Sequence, residues 1–133
     1  MSKGIKIGHR RSVLVAGLAI LSASFGACDR REEPVAAFVT GGDPELGRAA
    51  ISRYGCGSCH IIPGIQGANG LVGPPLSGIA NRVYIAGVLT NTPENLMRWI
   101  QDPPSVDPLT AMPNTGVTEA DARNLASFLY TLQ

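Results

Sequence analysis

Near the middle of the chain stands Cys56-Gly57-Ser58-Cys59-His60, a C-x-x-C-H run that is typical of covalent haem attachment. Two thiols three residues apart can each add across a vinyl group of a haem, and the adjacent imidazole can then face the iron. The cofactor would be held at three points within five residues. A redox-active dithiol is the alternative, although no strand-rich pattern of the thioredoxin kind surrounds the run.

The rest of the chain offers few side chains that could help residues 56–60 bind a metal ion. After the first 28 residues the chain contains no Cys or His outside this run. A zinc site requires four protein ligands, or three and a water molecule, so the sequence argues strongly against zinc. Haem therefore remains the leading interpretation of residues 56–60.

An iron bound by His60 needs a second axial ligand or an open position. His9 lies in what looks like a removable leader, which leaves two methionines. Met112 precedes Pro113 in a stretch whose prolines favour a stiff, non-helical loop. Met97 lies within a helical pattern, where methionine commonly fills gaps in a core. We therefore expect Met112 to be the ligand, because imidazole with thioether is a pair that raises the potential of a haem.

The first 28 residues have the pattern of an export signal. Basic residues between Lys3 and Arg11 precede a 15-residue run of apolar and small residues from Val13 to Ala27. A helix of that length reaches about 22 Å, short of the roughly 30 Å hydrocarbon core of a bilayer. We therefore expect residues 1–28 to be a signal peptide rather than a membrane span.

The apolar run ends at Phe25-Gly26-Ala27-Cys28, which resembles the lipobox of bacterial lipoproteins, although Phe25 stands where Leu is usual. The resemblance implies lipidation of Cys28; ordinary cleavage nearby and an uncleaved anchor are the alternatives. With Cys28 on lipid and the other two cysteines on haem, none remains for a disulfide. We expect an exported protein, lipid-anchored on the periplasmic side of the cytoplasmic membrane.

Length and charge limit the remaining possibilities. The 133 residues indicate one domain, which we place at 43–133. Residues 29–42 show no sustained period and are predicted to be a flexible linker.

After Cys28 there are seven Arg, no Lys and ten acidic residues, a net charge of −3. Without a basic stripe we expect no nucleic-acid partner, and without a catalytic constellation we expect no small-molecule substrate.

Three segments of the domain have the start signals and apolar stripes of helices. The first begins at Asp43-Pro44-Glu45 and ends near Gly55, so that it leads directly into the C-x-x-C-H run. The second begins at Asn91-Thr92-Pro93-Glu94 and is stopped by Pro103-Pro104. The third begins at Thr118 and continues through the stripe of Leu125, Phe128, Leu129 and Leu132.

The segments between these helices are harder to interpret. Residues 61–78 contain too many glycines and prolines for a helix or a central strand. Their apolar side chains, including Ile62, Leu71 and Val72, predict a loop wrapped against the haem. Residues 79–90 give only a weak signal, either a short helix or irregular structure.

The order of the motifs resembles that of class I c-type cytochromes over about residues 43–132. The C-x-x-C-H run is followed by a G-P-x-L-x-G-x-x-x-R pattern from Gly73 to Arg82 and then by a methionine loop. This resemblance implies an all-α fold, the small cytochrome c fold, in which three main helices and their loops surround one covalent haem c. It also implies contacts between the first and last helices through Gly47, Ile51, Leu125, Phe128 and Leu129.

The resemblance also assigns roles to residues around the haem. It implies that the Pro74 carbonyl accepts a hydrogen bond from the ring N–H of His60, which would fix the imidazole. Leu76 would pack on the haem and Arg82 would hold a propionate, with a solvated loop arginine as the alternative. Trp99, where Tyr is usual, would lie over the haem near the sulfur as well as filling core, and Thr110 would reach a propionate.

As a function, the resemblance implies a one-electron carrier of a bacterial respiratory chain rather than an enzyme. Its partners would be membrane respiratory complexes, with a terminal haem-copper oxidase as acceptor. The alternatives are a haem peroxidase or gas-sensing domain with an open iron position, or a cytochrome c subunit of an oxidase complex. Because the mature chain has no Lys to steer docking, we expect a small apolar docking patch formed by Gly55, Val72, Ala111 and Asn114.

Overall fold

The computed structural model describes residues 33–133 together with Met1 and Gly4. The predicted signal peptide and Cys28 therefore lie outside the described residues. No helix within 33–133 combines the length and the apolar character needed to cross a membrane.

The three predicted helices are present, and each begins at its predicted cap. They are α2 (Pro44–Arg53), α3 (Pro93–Gln101) and α5 (Glu119–Leu129). The carboxylate of Asp43 accepts hydrogen bonds from the first turn of α2, and the hydroxyls of Thr92 and Thr118 do the same for α3 and α5. Each cap satisfies amide groups that have no partner within the helix.

Helices α2 and α5 cross at a glycine, as the sequence predicts. A Cβ atom at Gly47 would lie 2.0 Å from the backbone oxygen of Asn124, so only glycine allows the two helices to approach this closely. Ile51 on α2 and Leu125 and Phe128 on α5 are each 1% exposed at this contact. The crossing therefore forms the centre of the core beneath the C-x-x-C-H run.

Residues 33–40, which the sequence places in a flexible linker, instead form helix α1 (Glu33–Thr40). The helix contacts α5 and buries Ala36 and Thr40, which are 3% and 6% exposed. The Thr40 hydroxyl donates to the Ala36 carbonyl at 2.9 Å, and Gly41 follows the helix with a positive φ. Eight residues are too few to show a sustained period, which is why the sequence pattern misses this helix.

The fold is mostly helical, and residues 84–90 add a small antiparallel hairpin. Strand β1 (Tyr84–Ile85) pairs with β2 (Leu89–Thr90). The turn places Ala86 and Gly87 at φ of 52° and 76°, and the Val88 amide donates to the Ile85 carbonyl at 3.1 Å. Two-residue strands are too short to give an alternating pattern, so the sequence left this segment open.

Loop 61–78 only partly follows its prediction. Ile62 and Leu76 are buried in the core, at 2% and 9% exposed. Leu71 and Val72 are 84% and 73% exposed; Val72 lines the cavity described below, whereas Leu71 is not among its lining residues. Glycine-rich backbone determines which side chains turn outward here, and composition alone does not reveal it.

Two prolines end α3 and begin another helix. Helix α3 stops at Gln101, as predicted, and Pro103 then starts the four-residue helix α4 (Pro103–Val106). Proline suits the first turn of a helix because that turn has no use for its missing N–H. With α1 and α4, the count of helices exceeds the three main ones that the sequence predicts.

Candidate functional site

The helices and loops enclose a cavity of about 590 Å³. This volume lies within the range of about 300–1,000 Å³ that is usual for small-molecule and cofactor sites. Every predicted site residue after Cys28 lines it; these residues are Cys56, Cys59, His60, Pro74, Leu76, Arg82, Trp99, Thr110 and Met112. The fold thus brings residues separated by more than 50 positions in the chain to one place.

The C-x-x-C-H run enters this cavity through a tight turn. Gly55 has φ of 69°, which turns the chain out of α2 as predicted and into a 3-10 turn over Cys56–Ser58. The amide of His60 donates to the Cys56 carbonyl at 3.0 Å, which closes the turn. Both thiols and the imidazole consequently reach the same cavity from a few adjacent residues.

The His60 ring is held in a defined orientation. Its Nδ1 lies 2.7 Å from the carbonyl oxygen of Pro74, the contact that the resemblance implies. A Cβ atom at Gly73 would lie 2.3 Å from Cε1 of the ring, so the imidazole lies directly against glycine backbone. Since the carbonyl accepts the Nδ1 proton, Nε2 is the nitrogen with a free lone pair for a metal.

The loop behind His60 is tied to the rest of the fold by further hydrogen bonds. The amides of Gly73 and Leu76 donate to the carbonyls of Cys59 and Ile61, at 2.8 and 2.9 Å. The guanidinium of Arg82 donates to the carbonyls of Pro75 and Ser77. Arg82 therefore binds backbone in this structure, whereas the resemblance assigns it to a propionate.

The structure separates the two candidate methionines. Met112 lines the cavity, whereas Met97 faces a shallow depression between α3 and the start of α5. Local turns hold the loop that carries Met112. The Asp107 carboxylate accepts from the Leu109 amide at 3.0 Å, and the Thr110 hydroxyl accepts from the Met112 amide at 3.2 Å.

The remaining wall of the cavity is mostly apolar. Leu96, Ile100, Leu125 and Leu129 contribute from α3 and α5 and are nearly fully buried. Trp99 is half-buried, lines the cavity and also packs against the core. Such a wall suits a large apolar ligand, since buried polar ligands would need more hydrogen-bond partners.

The chemistry of the lining residues fits a haem. Two unpaired thiols, one oriented imidazole and one thioether line the cavity, the set of groups that would attach a haem and bind its iron. Burial raises the pKa of the Cys56 thiol, and the neighbouring Cys59 adds to the rise.

Three residues near the site escape sequence analysis. Asn91 and Tyr130 form hydrogen bonds behind the His60 loop, where the Tyr130 hydroxyl donates to the Asn91 side-chain oxygen at 2.8 Å. Tyr84, on the hairpin, lines the cavity although it is 58% exposed. Asn91 belongs to a helix-start pattern, which already explains its presence in the sequence. Tyr84 and Tyr130 belong to no recognisable motif.

Comparison with known proteins gives a consistent result. A family model described as Cytochrome c matches residues 44–133. The cytochrome c oxidase subunit 2 of Alkalihalophilus pseudofirmus is 34% identical over 88 residues, covering 65% of this chain and 25% of that protein. The cytochrome c oxidase subunit 2 of Bacillus sp. (strain PS3) is 33% identical over 88 residues, covering 63% and 25%. The match spans a quarter of these relatives, and no solved structure matches significantly.

Proposed function

The chain belongs to the cytochrome c family, and from this premise we propose that it is a one-electron carrier with a single covalent haem c. The haem would supply an iron that alternates between Fe(II) and Fe(III), gaining or losing one electron at a time. The chain's own residues would hold that iron, exclude water from it and set its potential. The observation that carries the proposal is the convergence of two thiols, His60 and Met112 on one apolar cavity.

Cys56 and Cys59 would attach the cofactor. Each S–H would add across one vinyl group, the sulfur bonding to one carbon and the proton to the other, so that nothing leaves and no oxidant is needed. Both thiols are half-buried and line the cavity. The sequence places them three residues apart, which lets both reach one ligand.

His60 and Met112 would be the axial ligands. The Pro74 carbonyl fixes the His60 tautomer, so that Nε2 faces the metal, and this bond also increases the basicity of the imidazole. Met112 would supply a neutral, polarizable sulfur, which favours the ferrous state and raises the potential. With His60 and Met112 both bound, the iron would have no open position, which weighs against the peroxidase and gas-sensor alternatives.

One preparation of the native protein tests this proposal. Mass spectrometry should give the mass of the chain plus one haem, and acidified acetone should leave the colour with the protein. The oxidised protein should show the weak red absorption band of sulfur bound to ferric haem, and carbon monoxide should bind slowly. A colourless protein, or one that loses its pigment to acetone, would contradict covalent attachment; rapid binding of carbon monoxide would favour the gas-sensor alternative.

We further propose that the electron acceptor is a haem-copper oxidase, supported by the similarity to two cytochrome c oxidase subunits. The same similarity favours a second candidate, in which the chain is a permanent subunit of such a complex. Membrane solubilised in mild detergent distinguishes them. A free carrier separates from the oxidase on size-exclusion chromatography and restores its turnover when added back, whereas a subunit elutes with it.

The proposed docking patch surrounds the cavity mouth. Gly55, Val72 and Ala111 line the cavity and are solvent-exposed, and Asn114 is exposed nearby. With no Lys after residue 28, association should depend only weakly on salt. A steep fall in oxidase turnover between low and physiological ionic strength would contradict an apolar patch.

Export and anchoring remain proposals for the part of the chain before residue 33. We propose cleavage before Cys28 and lipidation of its thiol, on the periplasmic side of the membrane. Mass spectrometry of the mature N-terminus should find a lipidated cysteine. The variant Cys28→Ser should release the haem protein from membranes, and a protein that stays bound would favour an uncleaved anchor.

A further inference from the structure

Asn91 connects three segments of the chain that lie behind the cavity. Its side-chain amide donates to the carbonyls of Ile79 and Arg82, both at 2.8 Å. Its side-chain oxygen accepts from the hydroxyl of Tyr130 at 2.8 Å, and its backbone amide donates to the Val83 carbonyl at 2.9 Å. Both side-chain protons are used, and each partner allows only one orientation of the amide.

Tyr130 holds Asn91 from the end of α5. Burial raises the pKa of Tyr130 to about 12, and the carboxylate of Glu94 adds to the rise. The hydroxyl therefore stays protonated and remains a donor throughout the physiological range. This bond, together with the one from the Ala80 amide to the Leu132 carbonyl at 3.3 Å, ties the C-terminal end of the fold to the segment that contains Arg82.

Arg82 passes this connection on to the loop that holds His60. Asn91 binds the backbone carbonyl of Arg82, while the guanidinium of the same residue binds the carbonyls of Pro75 and Ser77. Pro74, immediately before Pro75, provides the carbonyl that accepts the Nδ1 proton of His60 at 2.7 Å. A series of hydrogen bonds, joined through the covalent structure of Arg82 and the Pro74–Pro75 peptide, thus runs from Tyr130 to the imidazole.

We propose that Asn91, held by Tyr130, is a positioning residue that sets the hydrogen bond between Pro74 and His60 and thereby the reduction potential. This inference rests on the proposed function, since it assigns His60 to the iron. A strong bond at Nδ1 makes the imidazole a better electron donor, which favours Fe(III). Loosening the loop should weaken that bond and shift the equilibrium toward Fe(II).

Two variants and one control test the proposal. Asn91→Leu removes three hydrogen bonds while keeping the number and branching of the heavy atoms, and Tyr130→Phe removes one hydroxyl. Thr131→Val is the matched control, because it deletes the hydrogen bond from Thr131 to the Phe128 carbonyl at the same end of α5 without contacting Asn91. Each holoprotein is titrated spectroscopically against a mediator of known potential, and its stability is measured in denaturant.

Asn91→Leu should shift the reduction equilibrium toward Fe(II) on the order of two- to tenfold, and Tyr130→Phe should shift it less in the same direction. Thr131→Val should lower stability and leave the equilibrium unchanged. The proposal fails if folded Asn91→Leu keeps the wild-type equilibrium, or if the control shifts it equally. Should Asn91→Leu not fold, the Tyr130→Phe titration decides alone.

A second measurement follows the imidazole itself. His60 and His9 are the two histidines of the chain, so isotope-labelled histidine gives a simple NMR spectrum. The Nδ1 proton of His60 should exchange with water severalfold faster in Asn91→Leu than in the wild type and the control. A wild-type protein without covalent haem would overturn the proposed function, whereas a haem protein with unchanged exchange and potential overturns this inference alone.

Discussion

The two sides of the cavity are built differently. On the His60 side, hydrogen bonds join distant parts of the chain, including His60 to Pro74 and the Gly73 amide to the Cys59 carbonyl. On the Met112 side, the hydrogen bonds of residues 107–116 within the described chain span two to four residues, except for Asn114 to Asp102 at 3.4 Å. A loop held by local turns opens at lower cost than one tied to the core. The Met112 side should therefore open at a lower free-energy cost than the His60 side.

The largest expected effect comes from removing each ligand in turn. His60→Leu should reduce the yield of covalent haem protein at least about tenfold, because even the outer partners of metal ligands typically matter by 10- to 100-fold. Met112→Leu is nearly isosteric and should keep the yield within about twofold. Haem staining normalised to chain content measures both. If both variants lost the same fraction of haem protein, the His60 and Met112 sides would contribute equally to haem attachment.

A smaller but still large effect is expected at the glycine beneath the imidazole. In Gly73→Ala, the new Cβ would lie 2.3 Å from Cε1 of His60, so the ring must shift and its bond to Pro74 must lengthen. Overpacking of this kind costs about 1–3 kcal/mol. Denaturant unfolding should show this loss, together with a changed reduction potential.

The matched variant on the opposite side is Ala111→Val, at an exposed position beside Met112. It adds more atoms than Gly73→Ala but should change the free energy of unfolding by no more than about 0.5 kcal/mol. If Ala111→Val proved as destabilising as Gly73→Ala, the Met112 loop would be as tightly constrained as the His60 loop.

Removing the hydrogen bond of the local turn at Met112 should have an effect on stability between those of Gly73→Ala and Ala111→Val. Thr110→Val removes the acceptor for the Met112 amide and should destabilise the closed loop by about 1 kcal/mol. Added imidazole, which competes with Met112 for the iron, should then bind roughly fivefold more tightly. Ser105→Ala, which loses a hydrogen bond to the Asp102 carbonyl, is the control. Imidazole affinity that rises equally in the control would contradict a specific role for Thr110.

Sequence reasoning succeeded where a physical signal is confined to a few residues. Helix starts were predictable at Asp43, Thr92 and Thr118 because an N-cap needs a particular kind of side chain at one position. The C-x-x-C-H run and the Gly73-Pro74 pair similarly carry their chemistry in fixed spacing. Gly47 was recognisable because close helix packing excludes every larger residue.

It failed where structure depends on contacts that no local pattern encodes. Helix α1 packs against α5 through Ala36 and Thr40, in a mixed-charge segment too short to show a sustained period. The hairpin depends on Ala86 at φ of 52°, a conformation that alanine rarely adopts and the sequence does not signal. The hydrogen bonds from Arg82 to the carbonyls of Pro75 and Ser77 also have no sequence signal, while its role toward a propionate stays a prediction.

The smallest expected effect concerns a group that supports both sides of the cavity. Asp121, at the start of α5, accepts hydrogen bonds from the Tyr54 hydroxyl and from Arg53 at the end of α2, both at 2.6 Å. Helix α2 leads to His60, and α5 follows the Met112 loop, so this junction links the two. The Tyr54 hydroxyl, with smaller contributions from Thr118 and Arg53, lowers the pKa of Asp121 below 3.8.

The sign of the resulting pH dependence follows from that direction. Because the folded pKa is the lower one, the unfolded chain binds more protons below about pH 4, and stability falls as the pH drops through the folded pKa. Tyr54→Phe should raise the pKa of Asp121 and make the fall shallower, while Glu45→Gln, at an exposed pair with Arg48, should leave it unchanged. Denaturant unfolding at a series of pH values measures the slope. Since Asp121 supports both sides, Tyr54→Phe should make both the dissociation of Met112 from iron and global unfolding easier. Thr110→Val should make only the dissociation of Met112 easier. If Tyr54→Phe changed the dissociation of Met112 alone, the junction would support one side only.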